Sequence, residues 1–490
     1  MARYAARVTL ACDIAEAVGS GRERAETVVR RALSRADRVQ RETNAFITLC
    51  GEAALARARA LDARLAAGEA PPPLAGVPVA VKDNLCTRGV RTTAGSRSLE
   101  HFVPPFDATV VARLEAAGAV VIGKTNLDEF GMGSTNEHSA FGPVRNPWDL
   151  ERVPGGSSGG SAVAVAAGVV PLALGTDTGG SVRQPASFTG VLGFKPTYGV
   201  LSRSGVIAFA SSLDQVGVFG RSARDLALAL TAMAGPDPLD ATSLEAPPLS
   251  ADLGTGTELS GLRVGLIKEL SGAGNSPEVR EALGRTTAAL RDLGAEVSEV
   301  SLPHAPYGTA AYYIVAPAEA SSNLARFDGM VYSRRVGESR LGQGEVMRRS
   351  RGALFGPEVR RRILVGTYAL SAGYYEAFYG KALKVRRLIA DEVRRAFGRF
   401  DLLLTPTAPS PAYRLGEVAD PLRMYLGDVD TVLANLVGCG AVSVPAPTPG
   451  LPCGVQFLAP PLEDARLLRV AGALEAAAAG AFAPLAPAYR

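Results

Sequence analysis

Short apolar runs alternate with helix-like stretches between residues 107 and 220, and this alternation constrains the fold more than any other feature of the sequence. The runs AVVIGKTN and VVPLALGTD have the length and apolar content of buried strands, whereas ATVVARLEAAG and SGGSAVAVAAG have the spacing or the small residues of packed helices. LRVGLIKEL and AEVSEVSL, on either side of a helical stretch, repeat the pattern later in the chain. Strands that alternate with helices predict an α/β fold.

The regions outside this alternation predict the domain organisation. Residues 1–70 have helical spacing, with Ser20 as a candidate N-cap, and the Pro-rich stretch AGEAPPPLAG ends them. We expect this helical region to pack on a single compact domain formed by residues 71–490. The Pro-, Gly- and Ser-rich residues 235–260 predict a long surface connection, and the Arg- and Gly-rich residues 331–362 predict a mobile, solvated segment.

Composition argues against several classes of protein. The formal net charge of +4 is small for 490 residues, so the chain has no bulk attraction to nucleic acid or to a membrane surface. The five cysteines form no CxxC pair, and their odd number favours a reducing compartment over a disulfide framework. Asp13 and Glu16 interrupt the N-terminal stretch, unlike a signal peptide, and the longest apolar run, residues 162–175, is shorter than the roughly 20 residues of a membrane helix. We therefore expect a soluble, cytoplasmic protein that does not bind a membrane.

Two Gly- and Ser-rich segments carry candidate chemistry. GGSSGGS at residues 155–161 runs directly into a helical pattern, unlike a flexible linker, and lacks the Lys-Ser/Thr pair that closes a phosphate-binding P-loop. The remaining interpretation is a tight turn in which Ser157 or Ser158 is reactive. GTDTGGS at residues 175–181 follows an apolar strand and precedes a helix, which suits a nucleophilic Ser181 with an oxyanion hole. The alternative for Ser181 is an N-cap in an ordinary Gly-rich turn.

Lys82 closes the apolar stretch VAVK at a predicted strand end. A charged residue in that position is usually a surface residue, but only six of the 52 basic residues of this chain are lysines. Arg stays protonated, whereas a buried Lys can become neutral and accept a proton. Lys82 is therefore a candidate general base.

Together these segments resemble the amidase signature family. The most specific stretch is GGSSGGSAVAVAAG with the following GTDTGGSVRQPASFTGVLGFKPTYG. The resemblance implies a large mixed β-sheet flanked by helices on both faces and preceded by N-terminal helices. It also implies a triad in which Ser181 forms an acyl-enzyme, Ser157 follows a cis peptide bond and relays the proton, and Lys82 is the base. The oxyanion would bind the amides of Thr178, Gly179, Gly180 and Ser181.

Other stretches, among them DNLCTRGVRTTAGSRSL and GTYALSAGYYEAFYGKA, resemble the members of that family that serve as the glutamine-hydrolysing subunit of a tRNA-dependent amidotransferase. This likeness implies a heterotrimer with B and C subunits, to which ammonia from glutamine is supplied. The B subunit would bind the misacylated Glu-tRNA(Gln) or Asp-tRNA(Asn) and amidate it with ATP and Mg²⁺. For this chain itself we expect no cofactor, because three scattered histidines and no Cys cluster provide no ligand set for a metal.

The same likeness implies the residues that hold glutamine. It assigns Arg361 to the α-carboxylate, Asp428 to the α-ammonium and Tyr312 to a polar contact. A one-residue slip would replace Arg361 by Arg360 or Arg362. A free amino acid needs one cation and one anion in its site, and this set supplies both.

Two other functions are compatible with the residues. A stand-alone amidase that acts on another carboxamide would keep the triad but would not need the pair Arg361 and Asp428. A nucleotide-binding module that uses the Gly-rich loops would bind ATP by itself and would leave Lys82 without a role.

Overall fold

Eleven strands form one mixed sheet in the computed structural model, which describes residues 10–249, 258–337, 340–418, 420–446, 448–478 and 485–489. The strands are β1 (Phe46–Leu49), β2 (Pro78–Lys82), β3 (Val120–Thr125), β4 (Leu172–Asp177), β5 (Leu192–Lys195), β6 (Gln215–Gly220), β7 (Arg263–Ile267), β8 (Glu296–Val300), β9 (Leu402–Pro406), β10 (Ala441–Ala446) and β11 (Cys453–Leu458). Their order across the sheet is β1-β3-β2-β4-β6-β5-β10-β11-β9-β7-β8. The pairs β2/β3, β2/β4, β7/β8 and β7/β9 are parallel and the others are antiparallel.

Fifteen α-helices in the described ranges pack around this sheet. They are α1 (Ala11–Gly19), α2 (Ala25–Thr43), α3 (Gly51–Ala66), α4 (Thr109–Ala116), α5 (Gly159–Ala166), α6 (Arg183–Thr189), α7 (Ala223–Met233), α8 (Pro277–Asp292), α9 (Gly308–Asn323), α10 (Gln343–Leu354), α11 (Pro357–Ala369), α12 (Lys381–Phe397), α13 (Pro421–Leu426), α14 (Val432–Val437) and α15 (Asp464–Ala477). One large cluster of buried apolar side chains joins the sheet to α1–α8 and α15, and a second joins it to α9, α11, α12 and α14.

The two clusters lie on opposite faces of the sheet, as strand β9 shows. Leu402 and Leu404 belong to the first cluster and Leu403 to the second. Successive side chains of a strand point to opposite faces, so helices cover both faces. The predicted α/β fold, with a large mixed sheet between two helical layers and helices before it, is confirmed.

The N-terminal region is not helical throughout. Phe46–Leu49 forms β1, which pairs with β3 at the edge of the sheet, as its aromatic and β-branched residues favour. The prediction for Ser20 is also wrong, because its hydroxyl donates to the Glu16 carbonyl (2.7 Å) at the end of α1. Helix α2 begins at Ala25, whose amide donates to the Asp62 carboxylate of α3 (2.7 Å). A neighbouring helix thus supplies the cap, which the local sequence does not reveal.

Residues 331–362 contain α10 and the first part of α11 rather than one mobile segment. Val346, Leu354 and Val359 are buried on these helices, while most of the arginines remain on the outer side. The composition predicted the charged outer side and missed the buried one. Of the predicted connection at 235–260, residues 250–257 lie outside the described residues, as do residues 1–9 at the N-terminus. No helix in the described part of the chain is both long and apolar enough to span a bilayer.

Candidate active site

The candidate catalytic residues meet at the carboxyl ends of two neighbouring parallel strands. β2 and β4 pair with Val81 opposite Leu174, and they end at Lys82 and Asp177. Carboxyl ends of adjacent parallel strands lie at one edge of a sheet, where α/β proteins commonly bind ligands. The turn before α5 brings Ser157 to this edge, and the turn between β4 and α6 forms the other side of the site.

Four hydroxyl and carbonyl contacts surround the Lys82 amine. Its Nζ donates to Ser157 Oγ (2.8 Å), Ser158 Oγ (2.7 Å) and Thr176 Oγ1 (2.9 Å), and lies 3.4 Å from the Thr176 carbonyl oxygen. The Asn84 side-chain amide donates to Thr176 Oγ1 (3.0 Å) and fixes that hydroxyl in turn. The amine is therefore held at one point between the two Gly- and Ser-rich segments.

The side chain of Lys82 is fully buried, and no carboxylate pairs with it directly in the described residues. Burial lowers the pKa of Lys82 to about 7, although nearby carboxylates, chiefly Asp128, act in the opposite direction. A substantial fraction of the amine is therefore neutral at physiological pH and able to accept a proton. Arginine could not be neutral in the same place.

Ser157 is the hydroxyl best placed to exchange a proton with Lys82. The Ser158 hydroxyl donates to the Thr176 carbonyl (3.1 Å), so towards Lys82 it only accepts. Ser157 Oγ, in contrast, has Lys82 Nζ as its hydrogen-bond partner among the described residues. The Gly156–Ser157 peptide bond is cis, as the family resemblance implies. The structure thus brings two of the three predicted triad residues into direct contact.

Ser181 lies in a turn that the Asp177 carboxylate organises. Asp177 accepts hydrogen bonds from the amides of Gly180 (2.9 Å) and Val182 (3.1 Å) and forms a fully buried ion pair with Arg183 (2.9 Å). Burial alone would raise the pKa of Asp177, but Arg183 keeps it at about 2. The carboxylate therefore remains charged and holds the backbone on both sides of Ser181.

The predicted oxyanion donors differ in how the structure uses them. The Gly180 amide already donates to Asp177, whereas the amides of Thr178, Gly179 and Ser181 have no acceptor among the described residues. The Thr178 hydroxyl donates to Asp214 (2.6 Å), which fixes the start of the turn. The three unengaged amides are the ones available to bind an oxyanion.

Residues from the C-terminal third of the chain support the same turn. Arg183 donates to the Thr431 carbonyl (2.9 Å) and to the side chains of Asn435 (2.7 Å) and Gln456 (2.8 Å). The Thr431 hydroxyl donates to the Gly179 carbonyl (2.6 Å). The turn that carries Ser181, the candidate nucleophile, is thus held between β4 and the segment around α14.

Tyr312 and Asp428 lie beside this turn. A Cβ at Gly179 would come within 2.5 Å of the Tyr312 ring, so the close approach of α9 requires glycine there. The neighbouring Tyr313 hydroxyl donates to Asp428 (2.6 Å). Burial raises the pKa of Asp428 to about 7, and the Tyr313 hydrogen bond offsets only part of this increase. An ammonium group beside Asp428 would favour its charged form.

The structure separates the two neighbouring arginines of α11. Arg361 pairs with Glu358, and 43% of its side chain is exposed. Arg362 is buried, donates to Glu358 (2.8 Å), and lies over the rings of Tyr313 (5.2 Å) and Tyr425 (5.4 Å). Arg362 therefore belongs to the buried cluster that contains Asp428, whereas Arg361 lies at its outer side.

Several residues of the site carry no sequence signal. Thr176 and Asn84 position the Lys82 amine. Tyr313 donates to Asp428, and Glu358 accepts from Arg362. Thr176 lies inside the GTDTGGS segment, which was the only available hint. A cavity of about 750 Å³ lies elsewhere and is lined by Phe102, Phe327 and other residues. Ser157, Ser181 and Lys82 are not among the residues that line it.

Known proteins resemble this chain over most of its length. A family model described as Amidase matches residues 27–468. The A subunit of glutamyl-tRNA(Gln) amidotransferase from Deinococcus radiodurans is 57% identical over 96% of this chain and 97% of its own length. The crystal structure of the corresponding A subunit from Thermotoga maritima is 44% identical, covers 92% of this chain and 91% of that chain, and has a TM-score of 0.77. A bacterial aryl acylamidase of the amidase signature enzymes is 27% identical over 96% of each chain, with a TM-score of 0.83.

Proposed function

The chain belongs to the amidase family, and we propose that within it the protein is the glutamine-hydrolysing subunit of a glutamyl-tRNA(Gln) amidotransferase. The observation that carries the proposal is the 57% identity, over nearly the full length of both chains, with the A subunit from Deinococcus radiodurans. The contact between buried Lys82 and Ser157 also supports amide hydrolysis, because an amine with a lowered pKa can accept a proton from a serine hydroxyl.

In the proposed reaction Ser181 attacks the side-chain carboxamide carbon of glutamine. Its proton passes to Ser157 and from Ser157 to the neutral amine of Lys82. The oxyanion of the tetrahedral intermediate binds the unengaged amides of the Thr178–Ser181 turn. Return of the proton through Ser157 to the leaving nitrogen releases ammonia and leaves a glutamyl ester on Ser181. Water then hydrolyses the ester to glutamate.

Glutamine recognition is assigned to the groups beside the nucleophile turn. Asp428 binds the α-ammonium in its carboxylate form. Because burial raises the pKa of Asp428 to about 7, this form predominates in the free protein above about that pH. Arg361 binds the α-carboxylate after leaving Glu358, and Tyr312 lies against the turn next to the reacting group. Arg362, buried beside Tyr313, is the alternative carboxylate ligand.

Replacing Arg361 by Ala is expected to raise KM for glutamine while kcat changes little, because the carboxylate contact exists in ground and transition states alike. A charged hydrogen bond at a partly exposed group predicts a loss of roughly 10- to 100-fold in kcat/KM. Steady-state glutaminase kinetics measure it, with Arg360→Ala on the same helix as the matched control. An unchanged KM in Arg361→Ala, together with a raised KM in Arg362→Lys, would transfer the role to Arg362.

The remaining chemistry belongs to the proposed partners. Ammonia is supplied to the B and C subunits of a cytoplasmic heterotrimer, in which the B subunit holds the misacylated tRNA and uses ATP and Mg²⁺. We expect glutamine hydrolysis itself to use no metal or other cofactor, because the serines, Lys82 and backbone amides can carry each step.

EDTA is expected to leave glutamine hydrolysis unchanged, because serine, lysine and backbone amides carry every step. Glutamate release should be followed, since amidation of tRNA by the complex depends on Mg²⁺ with ATP and would stop in any case. Loss of glutaminase activity on chelation, with recovery on addition of a divalent metal, would contradict the metal-free mechanism.

A stand-alone amidase is the second candidate, because a bacterial aryl acylamidase shares this fold at a TM-score of 0.83. The two functions are separated by assaying the purified chain, alone and with the B and C subunits, on glutamine and on an aryl amide. The proposal expects glutamine to be preferred and its nitrogen to reach Glu-tRNA(Gln) only in the complex. Efficient aryl amide hydrolysis, with no transfer to tRNA in the complex, would favour the stand-alone enzyme.

A further inference from the structure

Exposed apolar side chains are concentrated in one segment of the chain. Eight of the twenty large hydrophobic residues that are exposed in the described part of the chain lie between residues 364 and 388. We call Leu364, Tyr368, Tyr374 and Phe378 the aromatic ridge. Leu364 is 71% exposed and Tyr368 is 50% exposed. Apolar surface gathered in this way is uncommon on a protein that acts alone and often marks an interaction site.

The ridge is continuous in space. Leu364 and Tyr368 are one helical turn apart on α11. The Tyr368 ring lies 4.4 Å from that of Tyr374 and 5.7 Å from that of Phe378, measured between centroids. The last two rings are 6.0 Å apart. The side chains pack on one another and leave their outer surface open.

Helix α11 connects the ridge to the candidate active site. Its inner side packs so closely on α9 that a Cβ at Gly366 would overlap the Pro317 carbonyl. Helix α9 carries Tyr312, which touches Gly179 in the nucleophile turn. Glu358 and Arg362, which belong to the buried cluster that contains Asp428, lie in the first half of α11. The ridge is therefore the outer face of the elements that build the site.

The exposed charged residues in the segment that contains the ridge are predominantly basic. Among the exposed charged residues between 357 and 388, the only acidic one is Glu376. The basic ones are Arg360, Arg361, Lys381, Lys384 and Arg387. A partner that covers this surface would complement it with an apolar centre and an acidic rim.

We propose that the aromatic ridge with its basic rim is the docking site for a protein partner whose contact surface has an apolar centre and an acidic rim. The inference rests on the proposed function, under which that partner is another subunit of the amidotransferase. A protein fits better than RNA for two reasons. The rings already pack on one another, and the aliphatic Leu364 lies one helical turn from Tyr368, whereas RNA binding uses open aromatic faces for base stacking.

The test uses the full chain and the purified B and C subunits from the same genome. The ridge variant is Leu364→Ser with Tyr374→Ser. The matched control is Leu239→Ser with Tyr332→Ser, because these residues are 78% and 56% exposed outside the ridge. Affinity for the partners is measured by biolayer interferometry at several salt concentrations. Thermal melting, glutaminase activity of the free chain and gel-shift binding of transcribed tRNA are measured in parallel.

The ridge variant is expected to keep its melting temperature and its own glutaminase activity while its Kd for the partner subunits rises by about 30-fold or more, as for loss of interface hot spots. The control should bind like the wild type. Lys381→Glu with Lys384→Glu should also weaken binding and reduce its salt dependence.

An unchanged Kd in the ridge variant, with the wild type assembling normally, would overturn the docking site and leave the proposed function intact. Loss of tRNA binding without loss of assembly, or a ridge-dependent dimer of this chain, would equally overturn it. Failure of the wild-type chain to bind the B and C subunits would instead contradict the proposed function and the inference that depends on it.

Discussion

In the assembled complex, Ser181→Ala is expected to abolish amidation of Glu-tRNA(Gln) with glutamine while amidation with concentrated ammonium continues. Without the Ser181 hydroxyl no acyl-enzyme forms, and loss of a nucleophile reduces kcat by at least about 10⁴-fold. The amidation step should not depend on Ser181, because in the proposed mechanism Ser181 takes part only in glutamine hydrolysis. The measurement compares product tRNA formed with glutamine and with ammonium at mildly alkaline pH, where free ammonia is abundant.

Ser187→Ala is a suitable control, because Ser187 lies on α6 directly after the turn and its hydroxyl accepts from the Gly454 amide rather than reaching Lys82. It should retain glutaminase activity. Trapping of an acyl adduct by hydroxylamine in Ser181→Ala would refute the nucleophile assignment. If ammonium failed to rescue an intact Ser181→Ala complex, Ser181 would also serve the amidation step.

Lys82→Arg is expected to lower kcat of glutamine hydrolysis by about 10²- to 10⁴-fold, nearly as much as Lys82→Ala, because guanidinium stays protonated and cannot act as the base. The wild-type amine has a pKa lowered to about 7 by burial. Its neutral, active form increases as pH rises, so kcat should increase through about pH 7 and level off above it. Stopped or continuous ammonia assays across pH 5.5–9, roughly spanning the pKa of Lys82, measure this profile.

Lys124→Arg provides the contrast. Lys124 is equally buried, but its amine lies 3.3 Å from the Asp83 carboxylate and donates to the Leu85 carbonyl (2.8 Å), which are contacts a permanent cation can keep. That variant should affect melting temperature more than kcat. Retention of most of the wild-type kcat in Lys82→Arg, or a flat pH profile, would argue against general-base catalysis by Lys82.

The parts of this protein that the sequence predicts are those determined locally. The apolar runs that end at Lys82 and Asp177 became β2 and β4, and the unusual lysine proved to be buried. The local apolar pattern is sufficient to predict the strands, because strand length and burial follow from neighbouring residues. The special status of Lys82 followed instead from composition, since only six of the 52 basic residues are lysines.

Features that depend on distant contacts were not predictable from local pattern. The start of α2 is capped by Asp62 rather than Ser20. Val359 of α11 is buried, although the neighbouring arginines in the sequence had predicted a solvated segment. The difference between Arg361 and Arg362 is a matter of helix rotation against α9. A one-residue shift in sequence changes the side of the helix and therefore the burial of the charge.

The support of the Ser181 turn by Thr431, Asn435 and Gln456 has a consequence for the timing of activity during synthesis. β10 lies between β5 and β11, so the middle of the sheet stays open until residues 441–458 have left the ribosome. A nascent chain that has exposed only the first four hundred or so residues holds both serines and Lys82 but lacks the clamp on Arg183. We therefore expect it to release no ammonia, so that hydrolysis begins only after Thr431, Asn435 and Gln456 have emerged and packed on Arg183.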